Sequence, residues 1–160
     1  MEIVRQLKDA EQTQAFAAEL GQRLAPLARQ GPGVTIALLG GLGAGKTTFA
    51  QGLVAALPGG ADLYVTSPTY ALAQSYDTDP PVTHMDLYRL GSLDELEMIG
   101  YRDLYFDRGI AVVEWADRVP EALPAERIEV HLSASSESVR DLKLVVLGAR
   151  LEPLLRNREP

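Results

Sequence analysis

Two rhythms of apolar and polar residues divide this chain. Between Asp9 and about Arg29, Phe16, Ala17, Leu20, Leu24 and Leu27 recur every three or four residues, the spacing that collects apolar side chains on one side of an α-helix. Asp9 followed by Gln12 has the form of a capping box that would start this helix, and Gly31-Pro32-Gly33 breaks it. Val34 to Leu39 is then almost wholly apolar, as expected of a strand buried on both faces of a parallel sheet. A second helix is predicted from Lys46 to about Leu57, ended by Pro58-Gly59-Gly60.

The middle of the chain reads as shorter elements. Strands are predicted over Leu63–Thr66, Tyr70–Tyr76 and Val82–Leu87. Ser92 and Glu95 form a second capping box, opening a short helix with Leu93, Leu96 and Ile99 on its apolar side, and Tyr101–Phe106 makes a further helical turn or two. Ile110-Ala111-Val112-Val113 is a second buried strand, ending at Glu114-Trp115. Beyond Pro120 and Pro124, Ile128, Val130 and Leu132 alternate with polar residues, as do Leu142, Leu144 and Val146. That pattern predicts two half-buried strands, an antiparallel pair at one end of the sheet. A last helix is expected from Glu152 to Asn157. Alternating strands and helices predict an α/β fold with a mostly parallel central sheet flanked by helices. With no internal repeat and no linker, residues 1–160 read as a single domain.

Composition narrows the function classes. The chain has no cysteine, which excludes a disulfide framework, a thiolate metal site and cysteine catalysis, and fits a reducing compartment. No apolar run approaches the ~18–20 residues of a membrane span, and the start, MEIVRQLKDAEQ, lacks the pattern of a signal peptide. A cytoplasmic protein is the expectation. A net charge of −7 argues against a broad nucleic-acid surface of its own; RNA would be brought close by a local basic patch or a basic partner.

The chemistry is concentrated in Gly40-Gly41-Leu42-Gly43-Ala44-Gly45-Lys46-Thr47, which matches G-x-x-x-x-G-K-[ST] without a gap between a buried strand and a helix. Glycines let the backbone curl with its N–H groups inward around phosphates. The helix start at Lys46 adds partial positive charge. Lys46 is expected to reach the β- and γ-phosphates of ATP, Thr47 to take a Mg²⁺ position, and Thr48 to contact the α-phosphate. The metal site of such a loop is completed by a carboxylate at a strand end, on the side of the sheet where α/β folds bind ligands. Glu114 and Asp86 are the two candidates, and the spacing leaves the choice open. Ser67-Pro68-Thr69-Tyr70 occupies the place of a switch segment whose hydroxyl would sense the γ-phosphate or Mg²⁺. His84 shares a strand face with Asp86. Trp115 is a candidate for stacking on a base or on a partner. Arg89, Arg102 and Arg118 are possible phosphate partners that spacing does not separate, and His131 is assigned no role.

The blocks G-x-LGAGKTTF (Gly40–Phe49), SPTY (Ser67–Tyr70), H-x-DLYR (His84–Arg89), EL-x-x-x-GYRD (Glu95–Asp103) and VEW-A-D (Val113–Asp117) together resemble the bacterial TsaE (YjeE) family. The resemblance implies an ATPase required for N6-threonylcarbamoyladenosine (t6A) at position 37 of tRNA. It would act on a TsaD–TsaB complex by binding and hydrolysing ATP, feebly when alone, and would meet tRNA only through that complex. It further implies Lys46 on the phosphates, Thr47 and Glu114 on Mg²⁺, and a first switch at Ser67, Thr69 and Tyr70. His84 to Arg89 would form a second switch, and Glu11 and Thr13 would approach the adenine. Where the family usually has an acidic residue, this chain has Gly41. Two rivals share the loop: a small-molecule or nucleotide kinase, and a nucleotide-gated docking module with little turnover. No arginine-rich lid speaks for the kinase.

Overall fold

A computed structural model describes residues 1–68, 72–106 and 108–156, with no statement on the side chains of residues 104–106. Strand β1 (Glu2–Leu7) leads into helix α1 (Ala10–Gln30), β2 (Val34–Leu39), α2 (Lys46–Ala56), β3 (Ala73–Tyr76) and β4 (Val82–Asp86). Two short helices follow, α3 (Leu93–Met98) and α4 (Tyr101–Phe106), then β5 (Ile110–Glu114), two 3₁₀ turns, β6 (Arg127–Ala134), β7 (Arg140–Leu147) and a one-turn helix α5 (Glu152–Leu155).

All seven strands join one sheet in the order β1-β7-β6-β2-β5-β4-β3. The centre is parallel: β2 lies between β5 and β6, and β4 flanks β5 in the same direction. Antiparallel partners close both edges, β3 on β4 at one and the β6–β7–β1 meander at the other. The expected C-terminal hairpin is thus present, with its first strand docked parallel to β2.

Residue parity decides what each face carries. Val34, Ile36 and Leu38 of β2, with Ile110 and Val112 of β5, point to the face covered by α1 and α2, where they join Phe16, Leu20, Phe49 and Leu53. Ala37, Ala111, Val113 and Met85 point to the opposite face, under Leu96 of α3 and Tyr101 of α4. The apolar residues of β6 and β7, Ile128, Val130, Leu132, Leu142, Leu144 and Val146, all belong to the first core. Their other face shows Glu129, His131 and Lys143, because among the described residues no helix covers that half of the sheet.

Local signals explain most boundaries. Asp9 accepts from the Gln12 N–H at 2.8 Å and so caps α1; the Gln12 side chain reaches back one residue further than a capping box requires, to the Lys8 N–H at 2.8 Å. Four expectations need correction. Residues 63–66 form no strand; Val65 is buried alone while Leu63, Tyr64 and Thr66 stay exposed, so apolar content there serves one packing contact and no ladder. The Tyr70–Tyr76 strand begins only at Ala73, where pairing with β4 starts. Ser92 precedes α3 but its side chain makes no capping bond. The edge strand β1 was not expected: Glu2–Leu7 buries only Ile3 and Leu7, too few apolar residues to signal a strand, and exists by pairing along β7. Thr69, Tyr70 and Asn157 lie outside the described residues.

Candidate active site

The carboxyl ends of β2, β4 and β5 lie side by side, and parity turns three polar residues toward the α2 face. In β5 the sequence Ile110, Val112, Glu114 shares one face; in β4 Val82, His84, Asp86 does the same, with Asp86 directly opposite Glu114 in the pairing register. Apolar side chains thus give way to carboxylates at the strand ends, where α2 begins. His84, Asp86 and Glu114 are almost completely buried.

The loop between β2 and α2 follows its glycines. Gly43 (φ 75°) and Gly45 (φ 104°) occupy left-handed conformations that side chains adopt at a cost. A Cβ on Gly40 would lie 2.4 Å from the Leu132 carbonyl oxygen, so the loop root passes directly against β6. Gly45 stands at the N-cap of α2, and no side chain caps the helix. The first-turn N–H groups of such a helix lack intrahelical partners and make a ready anion site.

Lys46 is buried and donates from Nζ to the carbonyls of Gly40 (2.7 Å) and Gly41 (2.8 Å). Burial lowers the pKa of its ammonium, opposed by the negative charges of Glu114, Asp86 and Asp117. The Trp115 ring covers the same ammonium, with its centroid 3.9 Å from Nζ. Trp115 reaches that place because its backbone turns left-handed (φ 55°) immediately after β5. Tyr88 packs against Trp115 with the rings tilted and centroids 4.8 Å apart, and Arg118 lies over Tyr88.

The Thr47 hydroxyl donates to Glu114, 3.1 Å from Oε1 and 3.4 Å from Oε2. Glu114 Oε2 also meets His84 Nε2 at 2.6 Å. Asp86 accepts from the Tyr88 N–H through Oδ1 at 2.8 Å and from the Ser67 hydroxyl through Oδ2. A cleft of about 380 Å³ opens over these groups, lined by Leu42 to Thr48, Ser67, Asp86, Tyr88, Glu114 and Trp115.

Most of the residues singled out from sequence therefore converge here: the loop from Leu42 to Thr48, Ser67, Asp86, Glu114 and Trp115, with Gly41 beside them through its bond to Lys46. Others do not. Glu11 lines a separate groove between α1, α2 and the 63–65 segment, and Thr13 is buried with its hydroxyl directed to the Asp9 carbonyl. Neither lines the cleft, because α1 crosses α2 beyond its first turns. His84, read as part of a switch or a partner contact, is fully enclosed at 0% exposure and offers a partner no surface. Arg89 is exposed on the loop after β4. Two described residues at the site were not singled out in the sequence, Tyr88 in the cleft wall and Arg140 behind the loop. Arg140, at the start of β7, donates to the Gly43 carbonyl (3.1 Å) and to the hairpin carbonyls of Ser136 and Val139. Its neighbours in sequence carry no motif; only the hairpin brings it to the loop.

Comparison with known proteins agrees with this layout. The family model described as "Threonylcarbamoyl adenosine biosynthesis protein TsaE" matches residues 7–142. The chain belongs to the TsaE family. Its relatives include the tRNA threonylcarbamoyladenosine biosynthesis protein TsaE of Bacillus subtilis, 37% identical over 124 residues, spanning 77% of this chain and 76% of the relative. The TsaE of Streptomyces coelicolor is 39% identical over 140 residues, spanning 82% of this chain and 91% of its own. The crystal structure of Bacillus subtilis YdiB superposes with a TM-score of 0.77 at 28% identity, covering 96% of this chain and 91% of that one. TsaE membership places the chain in the biosynthesis of tRNA threonylcarbamoyladenosine. Every block that carried the resemblance lies inside the matched span; the end of β7 and α5 lie beyond it. No helix among the described residues is long and apolar enough to cross a membrane.

Proposed function

We propose that this TsaE protein is an ATPase that binds ATP with Mg²⁺ in the cleft above Glu114 and uses hydrolysis to act on a TsaD–TsaB complex during t6A formation at tRNA position 37. The observation that carries this reading is the Thr47–Glu114 contact at the mouth of a glycine-rich helix start, beside a buried lysine. A hydroxyl and a carboxylate already held together form the hard-oxygen pair that Mg²⁺ selects.

The donor set fits that ion. Among the described residues no three His, Cys, Asp or Glu side chains gather as a cage. Mg²⁺ suits such a site, since it is commonly held by one or two carboxylates together with substrate phosphates. Thr47 and Glu114 would hold it, with Asp86 in support or orienting the attacking water. Bound there, Mg²⁺ would neutralise charge on the β- and γ-phosphates. Lys46, now held by the Gly40 and Gly41 carbonyls, would offset charge on the phosphoryl oxygens. The N–H groups from Gly43 to Thr48 would hold the phosphates, and the indole of Trp115 covers the Lys46 ammonium. Ser67 and Tyr88, both bonded to Asp86, link the metal side of the cleft to the two loops that would carry a change of state to the partner. The net charge of −7 leaves tRNA to be met through that complex, in the cytoplasm.

The test is ATP hydrolysis by the purified protein, alone and with a matching TsaD–TsaB pair. Weak turnover alone, a sharp rise with the pair and loss of nucleotide binding in Lys46→Ala are expected. Bound ATP with no stimulation would reject the partner-dependent ATPase, and phosphorylation of an acceptor would establish a kinase instead.

A further inference from the structure

Glu114 is held from two sides, and only one of its holders belongs to the glycine-rich loop. Thr47 approaches from α2, nearest Oε1 at 3.1 Å; His84 approaches from β4, with Nε2 2.6 Å from Oε2. The strands themselves set this up. His84 sits opposite Val112 in the parallel register, two residues before the Asp86–Glu114 pair and on the same face. Its ring therefore lies beneath the Glu114 carboxylate, sealed from solvent at 0% exposure.

The second ring nitrogen makes the assignment specific. Among the described residues, the buried His84 Nδ1 has no hydrogen-bond partner, and the polar contact of the ring is with Glu114. A carboxylate only accepts, so the contact calls for a proton on Nε2, which makes His84 the donor to Glu114. An unpartnered buried nitrogen carries a cost that an apolar side chain would avoid. The geometry explains why a histidine stands there: a rigid ring on a central strand restrains a carboxylate that would otherwise rotate about its own torsions.

We propose that His84 is a positioning residue for Glu114. It ties Oε2 down and leaves Oε1 turned toward Thr47, where the metal would be held. This rests on the Mg²⁺-ATP reading above. Partners of this kind, behind a metal ligand, typically change metal affinity by ~10–100-fold when removed.

Two measurements test it. A long-range ¹H–¹⁵N spectrum of the imidazole in the nucleotide-free protein should show a proton on Nε2; a bare Nε2 would overturn the proposal. Binding of a fluorescent ATP analogue should then be titrated with MgCl₂. His84→Leu should raise the Mg²⁺ concentration for half-maximal effect by about 10-fold or more. His84→Gln, whose amide keeps an N–H of similar reach, should recover most of that loss. A His84→Leu midpoint within about twofold of wild type, or a glutamine variant no better than leucine, refutes the positioning role while leaving the Mg²⁺-ATP reading intact. A wild-type protein indifferent to Mg²⁺ refutes that reading and this proposal with it. Should His84→Leu fail to fold by thermal melting, the proton on Nε2 and the glutamine variant still decide.

Discussion

Gly52 lies in the middle of α2, where helix propensity and tertiary packing make opposite predictions for Gly52→Ala. Propensity alone favours alanine over glycine in a helix interior by ~1 kcal/mol. Packing opposes it. A Cβ at this position would lie 2.4 Å from the Gln14 carbonyl oxygen, 2.5 Å from its Cα and 2.8 Å from its carbonyl carbon. These are backbone atoms of α1, so no rotamer change relieves the overlap. To reach ordinary contact, which begins near 3.4 Å, the helices must part by roughly 1 Å at this point, and a gap of ~0.5–1 Å forfeits a quarter to a half of the dispersion well of each contact it opens. The contacts at stake are large, since Phe16, Leu20, Phe49 and Leu53 pack along the same seam.

Overpacking of this kind costs ~1–3 kcal/mol, and an obstruction made of backbone belongs at the upper end. After the propensity gain, the net loss is about 2 kcal/mol. For a chain of this size each kcal/mol moves Tm by roughly 2–4 °C, so Gly52→Ala should melt roughly 4–8 °C below wild type, with the same loss in urea unfolding at unchanged m. The control is Ala55→Gly, at an exposed position in the last turn of the same helix, which should lose at most about 1 kcal/mol from propensity alone. A Gly52→Ala protein that melts at or above wild type would refute the packing argument and the close α1–α2 approach on which it rests.

Glu114→Ala should lower partner-stimulated hydrolysis far more than nucleotide affinity, by roughly 10²-fold or more if the carboxylate serves the metal; turnover near wild type in the assembled complex would remove it from the site. Lys46 supplies a pH dependence. Burial lowers its pKa in the fold, so between that value and the ordinary ~10.4 the unfolded chain binds more protons and this group's contribution to stability rises with pH. Unfolding free energies of wild type minus Lys46→Met should therefore increase toward alkaline pH, and a flat or falling difference would contradict the burial argument. Asp9→Ala removes the side chain that caps α1 and should cost about 1 kcal/mol, read as a fall in Tm without change in nucleotide binding.

The long apolar periods were legible in the sequence because each needs only its own residues. Phe16, Leu20 and Leu24 mark one side of α1 wherever that helix packs, and Val34–Leu39 announces a strand buried on both faces. The glycine-rich loop was legible for a related reason: its backbone conformation depends on Gly43 and Gly45 themselves, and Lys46 and Thr47 follow at fixed covalent distance. Parity along β4 likewise put His84 and Asp86 on one face before any partner was known.

What only the tertiary structure decided lies between elements. Either Asp86 or Glu114 could have met Thr47; the register of β4 and β5 sets the two side by side, and the strand order, with β5 next to β2, brings Glu114 to the hydroxyl. His84 changed from a candidate switch residue to a buried support because that register places it beneath the carboxylate. Arg140 reached the Gly43 carbonyl across 97 residues of chain, through a hairpin whose alternation signals a strand but not its neighbour. Strand β1 carries too few apolar positions to form alone and exists by pairing with β7. Local chemistry names the residues able to serve a phosphate or a metal. Which of them meet is set by strand register and helix crossing, and those are fixed only when the cores on the two faces of the sheet close together.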